Sequence, residues 1–162
     1  MNKKIMFMTI FFLTLDQISK IVIDGVLKVN EVIRVIPKFF YLTRVNNPGA
    51  AFSILEGRTI FLSIISVFAI LLLFKYMNEF KQTKLGNVSF SLLLGGILGN
   101  LIDRVFLGSV RDFLKFDIIG YEFPVFNIAD TCIVVGVLLL IVCVFRGDDK
   151  SEVSSRKPRT TA

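Results

Sequence analysis

Four long apolar segments dominate this sequence of 162 residues. A helix needs about 20 mostly apolar residues to cross a membrane, and the segments come near that length, at about 5–26, 57–77, 85–104 and 126–145. Charged residues make up only 20% of the chain, below the roughly 25% that is usual in globular proteins. The pattern predicts an all-α polytopic membrane protein with four transmembrane helices, and residues 1–146 form one membrane domain.

The positive charges predict the orientation of the helices. An even number of spans places both termini on one side. The segments on that side hold 10 Lys or Arg in 31 residues and the other segments hold 8 in 55; the two sets are 1–4, 75–84 and 146–162, against 27–59 and 104–125. Because positively charged loops favour the cytoplasm, both termini are expected there. The first segment is kept as a permanent helix, since no small-residue cleavage site follows it and Asp16 interrupts it.

The segments between the spans differ in character. Residues 31–45 partly alternate and are rich in Val, Ile, Phe and Tyr, with Pro37 separating two short strands. A small extracytoplasmic β-sheet is therefore expected in the outer loop 27–56, and a short outer loop or helix before the fourth span. The sheet would either cap the helix ends or bind an extended peptide by strand addition. The polar residues 147–162 predict a disordered cytoplasmic tail.

The chain contains no histidine, which excludes Ser-His-Asp triads, Cys-His dyads and the His-Glu-x-x-His zinc motif. Cys132 and Cys143 lie in one apolar run without the spacing of metal ligands, so they are expected to pack as small apolar residues rather than form a disulfide. Neither a metal nor a cofactor is expected. The net charge of +6 relates to orientation and anionic lipid, and nucleic-acid binding is not expected.

Polar residues collect at one depth of the predicted bundle, its outer end. A charged group inside a membrane segment costs about 2.5 to 3.5 kcal/mol, so a cluster at one depth predicts a functional site. The cluster comprises Asp16 and Lys20 in the first helix, Asn100, Asp103 and Arg104 at the end of the third, Asp112 in the following loop, and Asn127 and Asp130 at the start of the fourth.

Several of these residues also have a purely structural interpretation. Asp16 and Lys20 are four residues apart, so they could be a neutralising pair on one helix face. Asn127 is expected to cap the fourth helix, whether or not it touches a substrate. Asp103 is interpreted as the structural ion-pair partner of Arg104, its neighbour in the chain.

Two carboxylates offer chemistry that needs no histidine. A pair close enough to share a proton supplies a general acid and a general base from one residue type. Asp112 and Asp130 could form such a pair if the 113–126 connection folds back over the membrane surface. The alternatives are that Asp130 only complements the helix dipole and that Asp112 is a solvated loop carboxylate.

Five blocks of sequence then follow one another in an order typical of one family. They are Asp16-Gln17-Ile18-Ser19-Lys20, Asn47-Pro48-Gly49-Ala50-Ala51-Phe52, Gly99-Asn100-Leu101-Ile102-Asp103-Arg104, Val110-Arg111-Asp112-Phe113 and Phe123-Pro124-Val125-Phe126-Asn127-Ile128-Ala129-Asp130. In these blocks the chain resembles the signal peptidase II family from Asp16 to about Thr131. It departs from the family at Thr131, where Ser is more frequent, and at Ile97, where a small Ala is common.

The resemblance implies a bacterial inner-membrane aspartic endopeptidase, a hydrolase that removes the signal peptide of prolipoproteins on the amino side of a diacylglyceryl-modified cysteine. Its site would face the outer leaflet. Its partners would be lipidated substrates and membrane lipid, without an obligate protein partner. The resemblance makes Asp112 and Asp130 the catalytic pair, and the residues that line or brace the site are Asp16, Lys20, Asn47, Gly49, Gly99, Asn100, Asp103, Arg104, Asn127 and Ala129.

Two other functions stay open in the sequence. A transporter or channel would place Asp16, Lys20, Arg104 and Asp130 along a permeation route, but the inner halves of the helices carry almost no charge. A Ser-Lys protease would use Lys20 as its base, with Ser19 or Ser53 as nucleophile, although nothing marks either serine. The resemblance favours the peptidase. It leaves open whether Arg104 contacts a substrate carbonyl or the lipid.

Overall fold

The computed structural model describes residues 2–49, 55–78, 80 and 83–148. The tail from Asp149 onward, Ala50–Phe52 of the second block and Ser53 lie outside the described residues, so the expected disorder of the tail stays a prediction. The elements in chain order are α1 (Lys3–Val26), β1 (Val32–Ile36), β2 (Phe40–Asn47), α2 (Thr59–Met77), α3 (Lys84–Leu107), β3 (Val110–Ile118), β4 (Tyr121–Glu122) and α4 (Ile128–Phe145).

All four helices are long and apolar enough to cross a membrane, as the sequence predicts. Their bounds agree with the predicted ones to within three residues at each end. α3 is the central helix and packs against the other three, with 67% of its most apolar stretch buried against 11% for α2. Small residues make this possible, because a side chain at Gly96 would collide with the backbone carbonyl of Ala129 on α4.

The four strands form one antiparallel sheet in the order β1-β2-β3-β4. The predicted hairpin is present as β1 and β2. The segment expected as a loop or short helix before α4 forms β3 and β4 instead, so that prediction is wrong. β3 pairs along the open edge of β2, where Val45 lies opposite Asp112, and it satisfies backbone groups that an unpaired edge would leave free. The Phe116 ring on β3 stacks on Phe40 with centroids 4.8 Å apart.

The two ends of the helix bundle differ in composition. We call the end next to the sheet the sheet end, and the other the apolar end. At the apolar end, Ile5, Met77, Phe90 and Leu94 form a buried cluster. The polar residues of the predicted cluster lie at the sheet end.

Both cysteines are buried and free, so the prediction that they form no disulfide is confirmed.

Candidate active site

Asn127 lies at the centre of the polar cluster and contacts both candidate carboxylates. Its side-chain Nδ2 donates to Asp112 Oδ1 at 2.7 Å. Its backbone N–H donates to Asp130 Oδ2 at 3.2 Å, and its Oδ1 accepts from the Asp130 backbone N–H at 2.9 Å. These two bonds make a capping box at the start of α4, which confirms the predicted N-cap. One residue therefore holds a carboxylate of β3 and a carboxylate of α4 together.

Two further asparagines complete the hold on the carboxylates. Asn47 on β2 donates from Nδ2 to Asp112 Oδ2 at 2.9 Å. Asn100 on α3 donates from Nδ2 to Asp130 Oδ1 at 2.7 Å. In the part of the chain that the structure describes, each of the four carboxylate oxygens thus accepts one N–H. Since a carboxylate oxygen has two lone pairs, one on each is left for water or substrate.

Asp112 is 3% exposed and lies outside the spanning helices. Burial raises its pKa to about 7, and the charge of Asp130 acts in the same direction, whereas the bonds from Asn47 and Asn127 lower the pKa. Burial prevails because removing a carboxylate from water costs more than two neutral amide donors return. Near neutral pH this site can therefore hold a proton, the condition for acid and base catalysis by two carboxyl groups.

Lys20 is a fully buried cation behind the pair. Its Nζ lies 2.8 Å from Asp16 Oδ2 and 3.3 Å from Asp103 Oδ2, and it donates to Asn100 Oδ1 at 3.0 Å. The amide oxygen of Asn100 must face this ammonium, so its amide nitrogen faces Asp130. The pairing of Lys20 with Asp16 is the predicted one, but the cation also sets the orientation of a group that touches a candidate catalytic carboxylate.

Asp16 links α1 to the start of α4. Its Oδ1 accepts at 2.9 Å from the backbone N–H of Ala129, one of the first-turn donors that a helix leaves without an internal partner. A side chain at Gly99 would collide with the Asp16 carboxylate and crowd the Ala129 methyl. Gly99 and Ala129 are therefore the small residues that let three helices meet at this carboxylate.

The predicted ion pair between Asp103 and Arg104 is wrong. Asp103 pairs with Lys20 and with Arg111 of β3, whose Nη2 lies 2.7 Å from Asp103 Oδ1. Adjacent helix residues point about 100° apart, which is why neighbours in the chain do not face each other. Arg104 instead donates from Nη2 to the carbonyl of Gly49 at 3.2 Å.

Arg111 is a member of this charge network that the sequence did not indicate. It also donates to Gln17 Oε1 at 3.0 Å and pairs with Asp24 Oδ2 at 3.2 Å, and Asp24 in turn pairs with Arg44 of β2 at 2.9 Å. These contacts attach the sheet to α1 and α3. Its only signal in the sequence was its place before Asp112 in the fourth block.

A cavity of about 570 Å³ opens onto the carboxylate pair. Its polar wall is formed by Asn47, Asn100, Arg104, Asp112 and Asp130 at the sheet end. Its apolar wall continues along the β4–α4 connection and α4, through residues Phe123, Pro124, Val125, Phe126, Ile133, Val134 and Val135. The cavity can therefore hold a chain that is polar at the carboxylates and apolar toward the membrane.

The geometry opposes a Ser-Lys dyad at Ser19. The Ser19 hydroxyl donates to the backbone carbonyl of Asp16 at 2.7 Å, while the Lys20 ammonium is held by three oxygen atoms of other residues. Ser53 lies outside the described residues.

Four helices that are long and apolar enough to span a membrane, with the Asp112 and Asp130 carboxylates at the wall of one cavity, define a polytopic membrane protein with two carboxylates at one site. The model of the family "Signal peptidase (SPase) II" matches residues 8–146. The chain belongs to this family and is a membrane-bound signal peptidase, a hydrolase of peptide bonds.

Relatives and solved structures cover most of the chain. The lipoprotein signal peptidase of Staphylococcus carnosus (strain TM300) is 42% identical over 149 residues, which are 91% of this chain and 94% of the relative. That of Staphylococcus aureus (strain bovine RF122 / ET3-1) is 38% identical over 138 residues, 85% of each chain. A bacterial membrane enzyme solved by the in meso method at 2.3 Å is similar with a TM-score of 0.81 and 34% identity, covering 98% of this chain and 94% of the other. A second, solved at 1.9 Å, has a TM-score of 0.77, 37% identity and coverage of 86% and 91%.

Proposed function

We propose that this chain removes the signal peptide of diacylglyceryl-modified prolipoproteins by cleavage on the amino side of the lipidated cysteine, with Asp112 and Asp130 as the catalytic pair. Membership of the signal peptidase II family supports the reaction. The observation that carries the assignment of residues is the contact of Asn127 with both carboxylates at the wall of one cavity.

In the proposed mechanism the pair holds one proton and one water. The ionised carboxylate takes a proton from the water as it attacks the scissile carbonyl, and the protonated carboxyl donates to the carbonyl oxygen. The tetrahedral intermediate then collapses. The carboxyl that accepted the water proton passes it to the departing amine of the lipidated cysteine, and the carboxylate that protonated the carbonyl oxygen takes that proton back. Asp112, with its pKa of about 7, supplies the acid at neutral pH. Asp130 then supplies the base, because a pair that holds a single proton leaves the other carboxylate ionised.

The remaining site residues act through these two. Asn47 and Asn127 orient Asp112, and Asn100 orients Asp130. Lys20, Asp16 and Asp103 hold Asn100 and the start of α4 in place, and Gly99 and Ala129 provide the space. Arg104 lines the carboxylate cavity, and the Gly49 carbonyl holds its guanidinium.

For the membrane we propose that both termini are cytoplasmic and that the site faces the outer leaflet of the bacterial inner membrane. The density of Lys and Arg supports this orientation. Single cysteines can be placed at Lys28 near the sheet and at Asn78 at the apolar end, in a chain with Cys132 and Cys143 replaced by alanine. In intact cells an impermeant thiol reagent is expected to label position 28 and leave position 78 unlabelled. The reverse labelling would overturn the orientation.

The substrate is tested with the purified protein alone, because no protein partner is part of the proposal. A precursor carrying the diacylglyceryl group should be cleaved at least tenfold faster than the same unmodified precursor, since the acyl chains hold the cysteine at the membrane surface. Mass spectrometry of the products locates the cleaved bond. Equal cleavage of the two precursors would overturn the proposed substrate, and inhibition by a serine-directed reagent would overturn the aspartic mechanism.

A further inference from the structure

A second cavity, of about 610 Å³, lies between α2 and α3 and shares Arg104 with the carboxylate cavity. It is a groove between α2 and α3, which we call the α2–α3 groove. Its walls include Ile64, Val67 and Leu71 of α2 and Leu101 and Val105 of α3, with Arg104 at the sheet end. The proposed mechanism gives this groove no role.

The hydroxyl groups in the groove donate inward to the backbone. Thr59 Oγ1 donates to the Gly108 carbonyl at 3.0 Å, and Ser63 Oγ donates to the Thr59 carbonyl at 2.9 Å. The surface beyond Arg104 is thus mainly aliphatic and aromatic. A peptide backbone placed there would lose hydrogen bonds that it makes with water, whereas a hydrocarbon chain would lose none.

The length of the groove matches a single leaflet. From Thr59 to Leu71 an α-helix rises about 18 Å. The hydrocarbon core of a bilayer is about 30 Å thick, so one leaflet is about 15 Å deep. The groove therefore starts at the depth of the sheet end and continues for about the depth that one acyl chain spans.

Arg104 lines both cavities and connects them. A guanidinium has five N–H donors, and in the described part of the chain Arg104 uses one of them on the Gly49 carbonyl. The others can reach acceptors at the mouth of the groove. The ester oxygens of a glyceryl group are such acceptors, and the cysteine that carries this group must lie at the neighbouring carboxylates during cleavage.

We infer that the α2–α3 groove binds one acyl chain of the substrate's diacylglyceryl group, with Arg104 donating to an ester oxygen at its mouth. The signal peptide then lies in the carboxylate cavity, against the apolar wall formed by α4. This inference rests on the proposed function. It divides the substrate between two cavities, with its polypeptide in one and a lipid chain in the other.

The size of the effect follows from where the acyl chain comes from. It moves into the groove from lipid or detergent, so it gains no free energy by leaving water. The groove can contribute only van der Waals contact and a fixed position for the cysteine. We therefore expect changes of about tenfold in KM, with kcat within about threefold.

The test compares two synthetic precursors with the same peptide, one carrying two palmitoyl chains and the other two octanoyl chains, at equal mole fraction in one detergent. The groove is filled by Ser63→Phe and, separately, by the more exposed Val67→Trp. Ile65→Trp places the same bulk on α2 outside the groove and is the matched control. The unaltered protein and the control should prefer the palmitoyl precursor by about tenfold in KM, and both groove variants should lose this preference.

Three outcomes separate the hypotheses. Folded groove variants that keep the full chain-length preference would overturn the inference and leave the proposed function standing. Failure of the unaltered protein to cleave either precursor would overturn the proposed function itself. A precursor with a diazirine at the end of one palmitoyl chain gives a readout that does not depend on the variants folding. Adducts within residues 60–71 are expected, and adducts confined to α4 would overturn the inference.

Discussion

The two ends of the helix bundle are held together by different interactions. At the apolar end, Ile5, Met77, Phe90 and Leu94 pack as a buried hydrocarbon cluster. At the sheet end α1, α3 and α4 meet through ions and amides, with Lys20 and Asp16 completely buried. The packing at the apolar end resembles many helix contacts in membranes. The sheet end is unusual, because charged side chains are rarely buried between membrane helices.

The difference shows what each end must achieve. Lipid is as apolar as leucine, so hydrocarbon packing tolerates small shifts between helices. A buried ion network does not, because a displaced partner leaves a charge uncompensated at a cost of several kcal/mol. The network therefore fixes the relative positions of α1, α3, α4 and the sheet within the range that two carboxylates sharing a water require. Rigidity is placed where the proposed reaction occurs.

The largest effect is expected at the carboxylate pair. Asp112→Asn and Asp130→Asn should each lower turnover by about a thousandfold or more, because an amide neither accepts the proton of water nor donates one as an acid. The double variant should be little worse than either single one, since groups that act as a unit are non-additive. Cleavage assays on lipidated precursor give the rates, and thermal melting shows that the variants fold.

The matched control for this prediction is Asp117→Asn on the same strand. Asp117 accepts from the Gly120 backbone N–H in the β3–β4 turn, a bond that asparagine can also accept, so activity should be retained. A folded Asp112→Asn protein that cleaves at nearly the normal rate would contradict the two-aspartate mechanism.

A smaller but still large effect is expected for Lys20→Met. Loss of the cation leaves Asp16 without its ion-pair partner and should lower the free energy of unfolding by about 3–5 kcal/mol. It also releases the Asn100 amide, so activity should fall by about a hundredfold at a temperature where the protein is folded. Adding Asp16→Asn removes the uncompensated charge, and this second change should restore stability but not activity. Recovery of both would reduce Lys20 to a purely structural role.

The pH profile of kcat/KM tests the electrostatics of the pair. Above the pKa of the acid, kcat/KM is expected to fall about tenfold per pH unit. The acid form of Asp112 is lost as the pH rises through its pKa of about 7, so kcat/KM should fall above that pH. Asn47→Ala removes a bond that favours the charged carboxylate and should move this alkaline limb to higher pH. Between its ordinary pKa of 3.8 and about 7, the folded chain binds a proton that the unfolded chain does not. This group's contribution to stability therefore decreases as the pH rises through that interval. An unchanged limb in Asn47→Ala would assign the titration to another group.

The smallest effect on activity is expected at the apolar end. Leu94→Ala removes a side chain that is 1% exposed and should lower the free energy of unfolding by about 2–5 kcal/mol through the cavity it leaves. Its kcat/KM should stay within about twofold while the protein is folded. A folded Leu94→Ala protein that lost as much kcat/KM as Lys20→Met would contradict the view that the sheet end alone positions the catalytic groups.

The sequence predicted the elements that local patterns specify. The length of each apolar run fixes a helix, and the β-branched and aromatic residues between 31 and 45 identify the hairpin. β3 was not predicted, because its partner β2 lies about 65 residues earlier and only the folded chain brings them together. The cluster of polar residues at one depth could also be predicted, because the position of a residue along a spanning helix gives its depth in the membrane.

The partners within the cluster were harder to predict. Asn127 was identified as a helix cap because capping depends on residues three apart. Asp103 was assigned to its neighbour Arg104, but it pairs with Lys20 and Arg111 because helix rotation and sheet pairing decide which charges meet. The roles of the site residues depend on such contacts, and only variants can test them.

The span from Lys20 to its partners also constrains how this protein is made. Lys20 is synthesised with α1, whereas Asn100 follows 80 residues later. At about 5–20 residues per second, ribosomes need about 4–16 s to cover that distance. Over that interval Asp16, one helical turn away, is the counter-ion that α1 itself provides. The Asp16–Lys20 pair, which orients Asn100 in the folded protein, can therefore neutralise the charge of Lys20 while α3 is still being translated.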